Sequence, residues 1–187
     1  MLFAEKNYQY NQTIPLSTVP VNGQALGAVS GVKFGVGTLG KRGCGVLAVF
    51  NALALCGIAV PLAELTRYME RYRLLWAFFG VNFYALGRAL RHFGVKSRRI
   101  GGLQAAREFL QQDQVMLMAY WTKKPFLSSA HIICLRGMGD GMAEVYNRYS
   151  RHPAAMTVPL KELYQRRVIV AFGIISHHAA RKENAHE

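Results

Sequence analysis

Residues 44–57, CGVLAVFNALALCG, constrain the fold more than any other stretch of the chain. Val46, Leu47, Val49, Phe50, Leu53 and Leu55 cover most of a helical circumference at 3.6 residues per turn, and Gly57 provides a stop. A helix that is apolar nearly all round has to be covered nearly all round, so the rest of the chain must supply layers about residues 44–56. From Gly45 to Val60, sixteen residues, Asn51 is the only clearly polar side chain. Crossing a bilayer core takes about 20 residues. Pro61 ends this run early, which predicts a buried helix and no membrane span.

The 187 residues and a hydrophobic content of 51% suit one domain with an ample core. Residues 1–36 are rich in Gly, Pro, Thr, Asn and Gln with no sustained period, and are expected to be an extended lead-in to a domain over residues 37–175. The tail, 176–187, has little to bury and is expected to be disordered. Pro61 opens a second helix, 61–75, with Leu62, Leu65 and Met69 at spacings of three and four. Asn82 is a natural N-cap for a third, whose stripe is Phe83, Leu86, Leu90 and Phe93 before Gly94, and a shorter helix is expected over 103–111. After residue 113 the period changes. QVMLMAYW, AHIICLRG, MAEVYNRY and RRVIVAFGII read as strands, with a helical turn or two over 159–165. The fold class expected is α+β, a central helix packed on a mostly antiparallel sheet.

Three cysteines, at 44, 56 and 134, make no CxxC pair and no disulfide framework, which fits a reducing, cytoplasmic setting. The N-terminus carries no secretory pattern. His177-His178 lacks partners at ligand spacing, so no metal and no cofactor are expected. The 23 Lys and Arg against 10 Asp and Glu, a formal charge of +13, favour an anionic partner of some kind.

Cys44 stands where chemistry is expected. A helix N-terminus lowers a thiol pKa, Lys41 and Arg42 act in the same direction, and Gly43 and Gly45 let another backbone come close. A nucleophilic cysteine needs a base, and the base needs an orienting group. Of six histidines, His177, His178 and His186 lie in the tail, His92 on a helix, and His152 before a proline. That leaves His131, which opens the strand HIICLRG. The following strand delivers Asn147. If Gly139-Asp140-Gly141 is a three-residue turn, partners across the hairpin have numbers that sum to 280, and His131 and Asn147 are diagonal neighbours on one face. A two-residue turn would separate them. Cys134, three residues from His131, points to the other face and reads as core, as does Cys56. Taken singly, Cys44, His131 and Asn147 have plainer readings as a core cysteine and two strand-end residues; their joint order and spacing favour a triad.

GCGVLAVFNALALCG, GVNFYALGRALRHFGVKSRRI and SAHIICLRGMGDGMAEVYNRYS together resemble the papain-like cysteine peptidases, in the branch of double-glycine-leader (bacteriocin-processing) peptidases and their bacterial relatives, over about residues 37–175. The resemblance implies Cys44 as nucleophile, His131 as general base and Asn147 as its orienting residue, acting on a peptide or small amide. It departs at one position. The family usually has a Gln six residues before the nucleophile as oxyanion donor, and this chain has Thr38; Gln24, the nearest upstream glutamine, is twenty residues away. Thr38 and the N–H of Cys44 are then the oxyanion candidates. No ATP-binding or membrane-spanning region of the kind fused to exporting members is seen, which implies a free-standing domain.

Two other readings stay open: a catalytically degenerate binding module, motivated by the missing Gln, and an anionic-surface or nucleic-acid binder. The latter is motivated by Arg67, Arg71, Arg73, Arg88, Arg91, Lys96, Arg98 and Arg99, interleaved with Tyr68, Tyr72 and Trp76. That helical pattern more often marks a core stripe with a solvated face. An acyltransferase would share the triad.

Overall fold

The computed structural model describes residues 2–16, 19–74, 80–122 and 130–175, with side chains from residue 4 onward. The elements are α1 (Leu2–Gln12), β1 (Lys33–Phe34), β2 (Gly37–Thr38), α2 (Leu39–Arg42), α3 (Cys44–Leu55), α4 (Leu62–Met69), α5 (Leu86–His92), β3 (Lys96–Arg99), α6 (Gly102–Phe109), β4 (Val115–Trp121), β5 (Ala130–Gly137), β6 (Met142–Tyr146), β7 (Met156–Pro159), α7 (Leu160–Tyr164) and β8 (Val168–Ile175). The fold is α+β, as the sequence pattern predicts.

Six strands form one antiparallel sheet in the order β3-β8-β4-β5-β6-β7. Strand alternation divides its side chains between two cores. Leu117 and Ala119 of β4 and Ile132 and Cys134 of β5 pack with Val46, Leu47, Phe50 and Leu53 of α3. Met116, Met118, Ile133 and Leu135 pack on the other face with Ala106 of α6 and Leu160 and Leu163 of α7. The central strands are therefore apolar on both sides, which is why QVMLMAYW and AHIICLRG read as nearly unbroken apolar runs.

Helix α3 is buried from Gly45 through Leu53. Each fully buried leucine there contributes roughly 1.5–3 kcal/mol relative to exposure. The helix lies so close to the sheet that a Cβ on Gly45 would fall 2.1 Å from Val81 Cγ2 and 3.0 Å from Ile132 Cδ1. Its one polar residue is satisfied rather than solvated. Asn51 Oδ1 accepts from Val21 N at 2.7 Å and Asn51 Nδ2 donates to Val21 O at 2.8 Å, tying the N-terminal segment across the helix.

The extended lead-in needs correction over its first part, because residues 2–12 form helix α1. It has no apolar stripe to betray it and is held by polar contacts. Asn7 Nδ2 donates to Gly35 O and Glu70 Oε1, Asn11 exchanges hydrogen bonds with the main chain of Lys33, and Glu5 pairs with Arg67. The second helix is shorter than 61–75. It ends at Met69 and tightens into a 3₁₀ turn over Glu70–Tyr72, where the buried Glu70 carboxylate accepts from Gly35 N at 2.7 Å and pairs with Arg73. Asn82 does cap, through Tyr84 N at 2.9 Å, but it caps a 3₁₀ turn that leads into α5. The sheet edges β3 and β7 were not evident from the pattern, since most of their side chains are exposed or half-buried. The expectation for 176–187 lies outside the described residues.

Candidate active site

The hairpin of β5 and β6 has the register a three-residue loop requires: Cys134 pairs with Tyr146, Leu135 with Val145, Arg136 with Glu144 and Gly137 with Ala143. Gly139, Asp140 and Gly141 all take positive φ (80°, 51° and 72°), so the glycines make the tight return possible. The ladder stops at Tyr146. Asn147 turns into the left-handed region, φ 56°, and its carbonyl oxygen comes within 2.8 Å of His131 Nε2.

His131 is the second residue of β5, directly opposite Tyr120 of β4, whose ring stands edge-on to the imidazole with centroids 5.9 Å apart. Cys44 is the first residue of α3, half-buried, and lines the same cleft as His131, whose imidazole acts on its thiol. Burial pushes the Cys44 thiol up. The His131 hydrogen bond and charge, with the main-chain N–H groups of Ile132 and Gly45, outweigh burial and leave it below the ordinary thiol value. For His131, burial acts against the imidazolium, but the Cys44 sulfur and the Asn147 carbonyl raise its pKa overall. The two shifts together favour a thiolate–imidazolium pair. By contrast, burial pushes Cys56 up and Cys134 well up, the behaviour of core thiols.

The orienting contact on His131 comes from the main chain of Asn147. Its carboxamide faces away, with Oδ1 accepting from Gln24 N at 3.0 Å and Nδ2 donating to Gln24 Oε1 at 2.9 Å, while Asn147 N donates to Asn22 Oδ1 at 2.8 Å. Gln24 Nε2 in turn reaches Gly40 O of α2 at 3.4 Å. Gln24 thus bridges the segment that leads into Cys44 and the turn that orients His131. Its distance of twenty residues from Cys44 gave no spacing signal, and only the fold of the N-terminal segment brings it in.

A cleft of about 480 Å³ opens on this group, lined among others by Gln24, Gly40, Cys44, Tyr120 and His131. Thr38 is not among its lining residues; it ends β2 and precedes α2 with no side-chain cap hydrogen bond. The other described histidines are elsewhere: His92 stacks on Tyr68 at 3.7 Å, and His152 Nδ1 bonds Ala154 O. His177, His178, His186 and Trp76 lie outside the described residues. Of the basic residues on the helices and β3, Arg67 and Arg73 pair with carboxylates, and Arg71, Arg98 and Arg99 sit over the rings of Tyr68, Phe109 and Tyr84. Among the described residues no group of three or more His, Cys, Asp or Glu gathers to hold a metal ion, and no helix is long and apolar enough to cross a membrane.

An α+β chain with a cysteine at a buried helix start and a histidine at a sheet end is the class that fold and site define. No protein-family model and no curated protein matches it. Among solved structures it is similar to the crystal structure of a double glycine motif protease from an AMS/PCAT transporter in complex with the leader peptide, at 16% sequence identity and a TM-score of 0.48, over 70% of this chain and 82% of that one.

Proposed function

We propose that the chain is a papain-like thiol hydrolase that cleaves a peptide or related amide through Cys44. The observation that carries this reading is that Cys44 and His131 line one cleft, with the Asn147 carbonyl oxygen 2.8 Å from His131 Nε2. The thiolate attacks the substrate carbonyl carbon and the π electrons move onto oxygen. Collapse of that intermediate expels the amine, which takes the proton held by His131 and leaves a thioester on Cys44. His131 then removes a proton from water, the hydroxide attacks the thioester, and Cys44 leaves as the thiol partner of the same imidazole.

The developing oxyanion is met by the Cys44 N–H at the helix start and by Gln24 Nε2, whose carboxamide lines the same cleft. Gln24 is favoured over Thr38 for this role because it lines the cleft and Thr38 does not.

A peptidyl vinyl sulfone tests the reading. It should add once to the wild type, at Cys44, by intact-mass and peptide mass spectrometry, and far more slowly to His131→Ala. A wild type that takes up no probe while remaining folded contradicts it.

A further inference from the structure

The cleft wall is basic on every side that carries charge. Lys41, Arg42, Arg148 and Arg166 line it, and among the described residues no Asp or Glu does. Arg148 is compensated, since it pairs with Glu162 outside the lining. Among the described residues Arg166 has no carboxylate partner; its guanidinium lies 5.3 Å over the Tyr120 ring, the ring that also stands against His131. Lys41, three residues before Cys44, is exposed on α2 and has no carboxylate partner among the described residues either. Two uncompensated cations therefore face the space where a substrate must lie.

We propose that the cleft selects substrates that carry a carboxylate, held by the Arg166 guanidinium beside the reacting carbonyl with Lys41 adding to the attraction. The inference rests on the reading of Cys44 as the nucleophile. A guanidinium suits a carboxylate because its parallel N–H donors match both oxygens, and a ring beneath it fixes its plane. Within the empty cleft the Arg166 charge works against the His131 imidazolium. A substrate carboxylate at Arg166 offsets that charge, so the correct substrate also favours the reactive pair. The carboxylate has two sources, an acidic side chain or a free C-terminus.

Two small alkylating reagents read the site without a known substrate. Iodoacetate is anionic and iodoacetamide neutral, and both displace iodide at Cys44. In Arg166→Gln the ratio of the iodoacetate rate to the iodoacetamide rate should fall roughly 3- to 10-fold, a ratio in which any change in the thiolate fraction cancels, and the wild-type preference should shrink at high salt. Lys41→Gln should give a smaller loss of the same sign. Two peptides used as protectants against iodoacetamide then separate the sources: one with an internal Glu and an amidated C-terminus, one with Gln and a free C-terminus. Each is compared with the amidated Gln peptide, and at least one should protect at a lower concentration. Equal effects of Arg166→Gln on both reagents, or no gain from either carboxylate, overturn this inference and leave the nucleophile reading standing. A Cys44 inert to both reagents in the wild type overturns the two together.

Discussion

His131 Nε2 lies 2.8 Å from the main-chain carbonyl oxygen of Asn147, and a carbonyl can only accept. Nε2 must therefore carry a proton. In the neutral ring this leaves Nδ1 without a proton, free to act as a base. Because the acceptor is main chain, the contact does not depend on which side chain occupies position 147, provided the backbone holds its left-handed turn.

Asn147→Gly and Asn147→Ala separate these roles. Both lose the paired hydrogen bonds to Gln24, at a cost of about 1–3 kcal/mol in unfolding free energy. The alanine variant loses roughly 1–2 kcal/mol more, because φ 56° is strained for it and free for glycine. Urea unfolding should rank them wild type, glycine, alanine. The pH profile of Cys44 alkylation in the glycine variant should stay close to wild type.

Gln24→Ala tests the oxyanion assignment. Peptide turnover should fall about 10²-fold or more. Alkylation by iodoacetamide builds no oxyanion and should keep its rate. A parallel loss in both assays would mean that Gln24 acts only by holding Asn147 and Gly40 in place.

Gly45→Ala should destabilise the fold by about 1–3 kcal/mol, since the added Cβ meets Val81 at 2.1 Å against a helix buried on all sides. Thermal unfolding reads this directly. The double variant Gly45→Ala with Val81→Ala should recover part of the loss.

Glu70→Ala should cost about 3 kcal/mol. It leaves Gly35 N without its acceptor, Asn7 Nδ2 with one acceptor of two and Arg73 without its partner, in a place only 3% exposed at the Glu70 side chain. Chemical denaturation would show it. Hydrogen exchange should increase first in α1, which depends on that carboxylate through Asn7.

Legibility in the sequence followed the physics of each element. Helix α3 and the strands β4, β5 and β8 were visible because deep burial demands apolar side chains at nearly every position. The hairpin register turned on whether Gly139-Asp140-Gly141 closed a three-residue or a two-residue turn, which the residues alone left open; the three-residue register is the one found. Helix α1 was hidden because it is held by the polar contacts of Asn7, Asn11 and Glu5 rather than by an apolar stripe, and Asn is a residue type that normally marks loops. The edge strand β3, KSRR, was hidden because an edge needs few apolar contacts. At the site, Cys44 and His131 could be paired from order and spacing, and both line one cleft. That Asn147 works through its carbonyl could not be foreseen, since it depends on one backbone turn. Gln24 was invisible because contacts over more than a hundred residues, Gln24 to Asn147, leave no local pattern.

The signs of the two pKa shifts define the decisive experiment. The Cys44 thiol is lowered, so its thiolate persists below the ordinary range of about 8.5 and is lost only as pH falls through the folded value. The His131 pKa is raised, so its proton persists above the ordinary range of about 6.5 and is lost as pH rises through the folded value. Both directions favour the thiolate–imidazolium form over the neutral pair. The measurement is the pH dependence of iodoacetamide alkylation at Cys44 in the wild type and in His131→Ala, read by mass spectrometry. The account predicts alkylation of the wild type well below pH 7, and a midpoint that moves above about 8.5 in His131→Ala, where burial acts unopposed by the imidazole. Coincident profiles for the two proteins, both with midpoints at or above about 8.5, would contradict it.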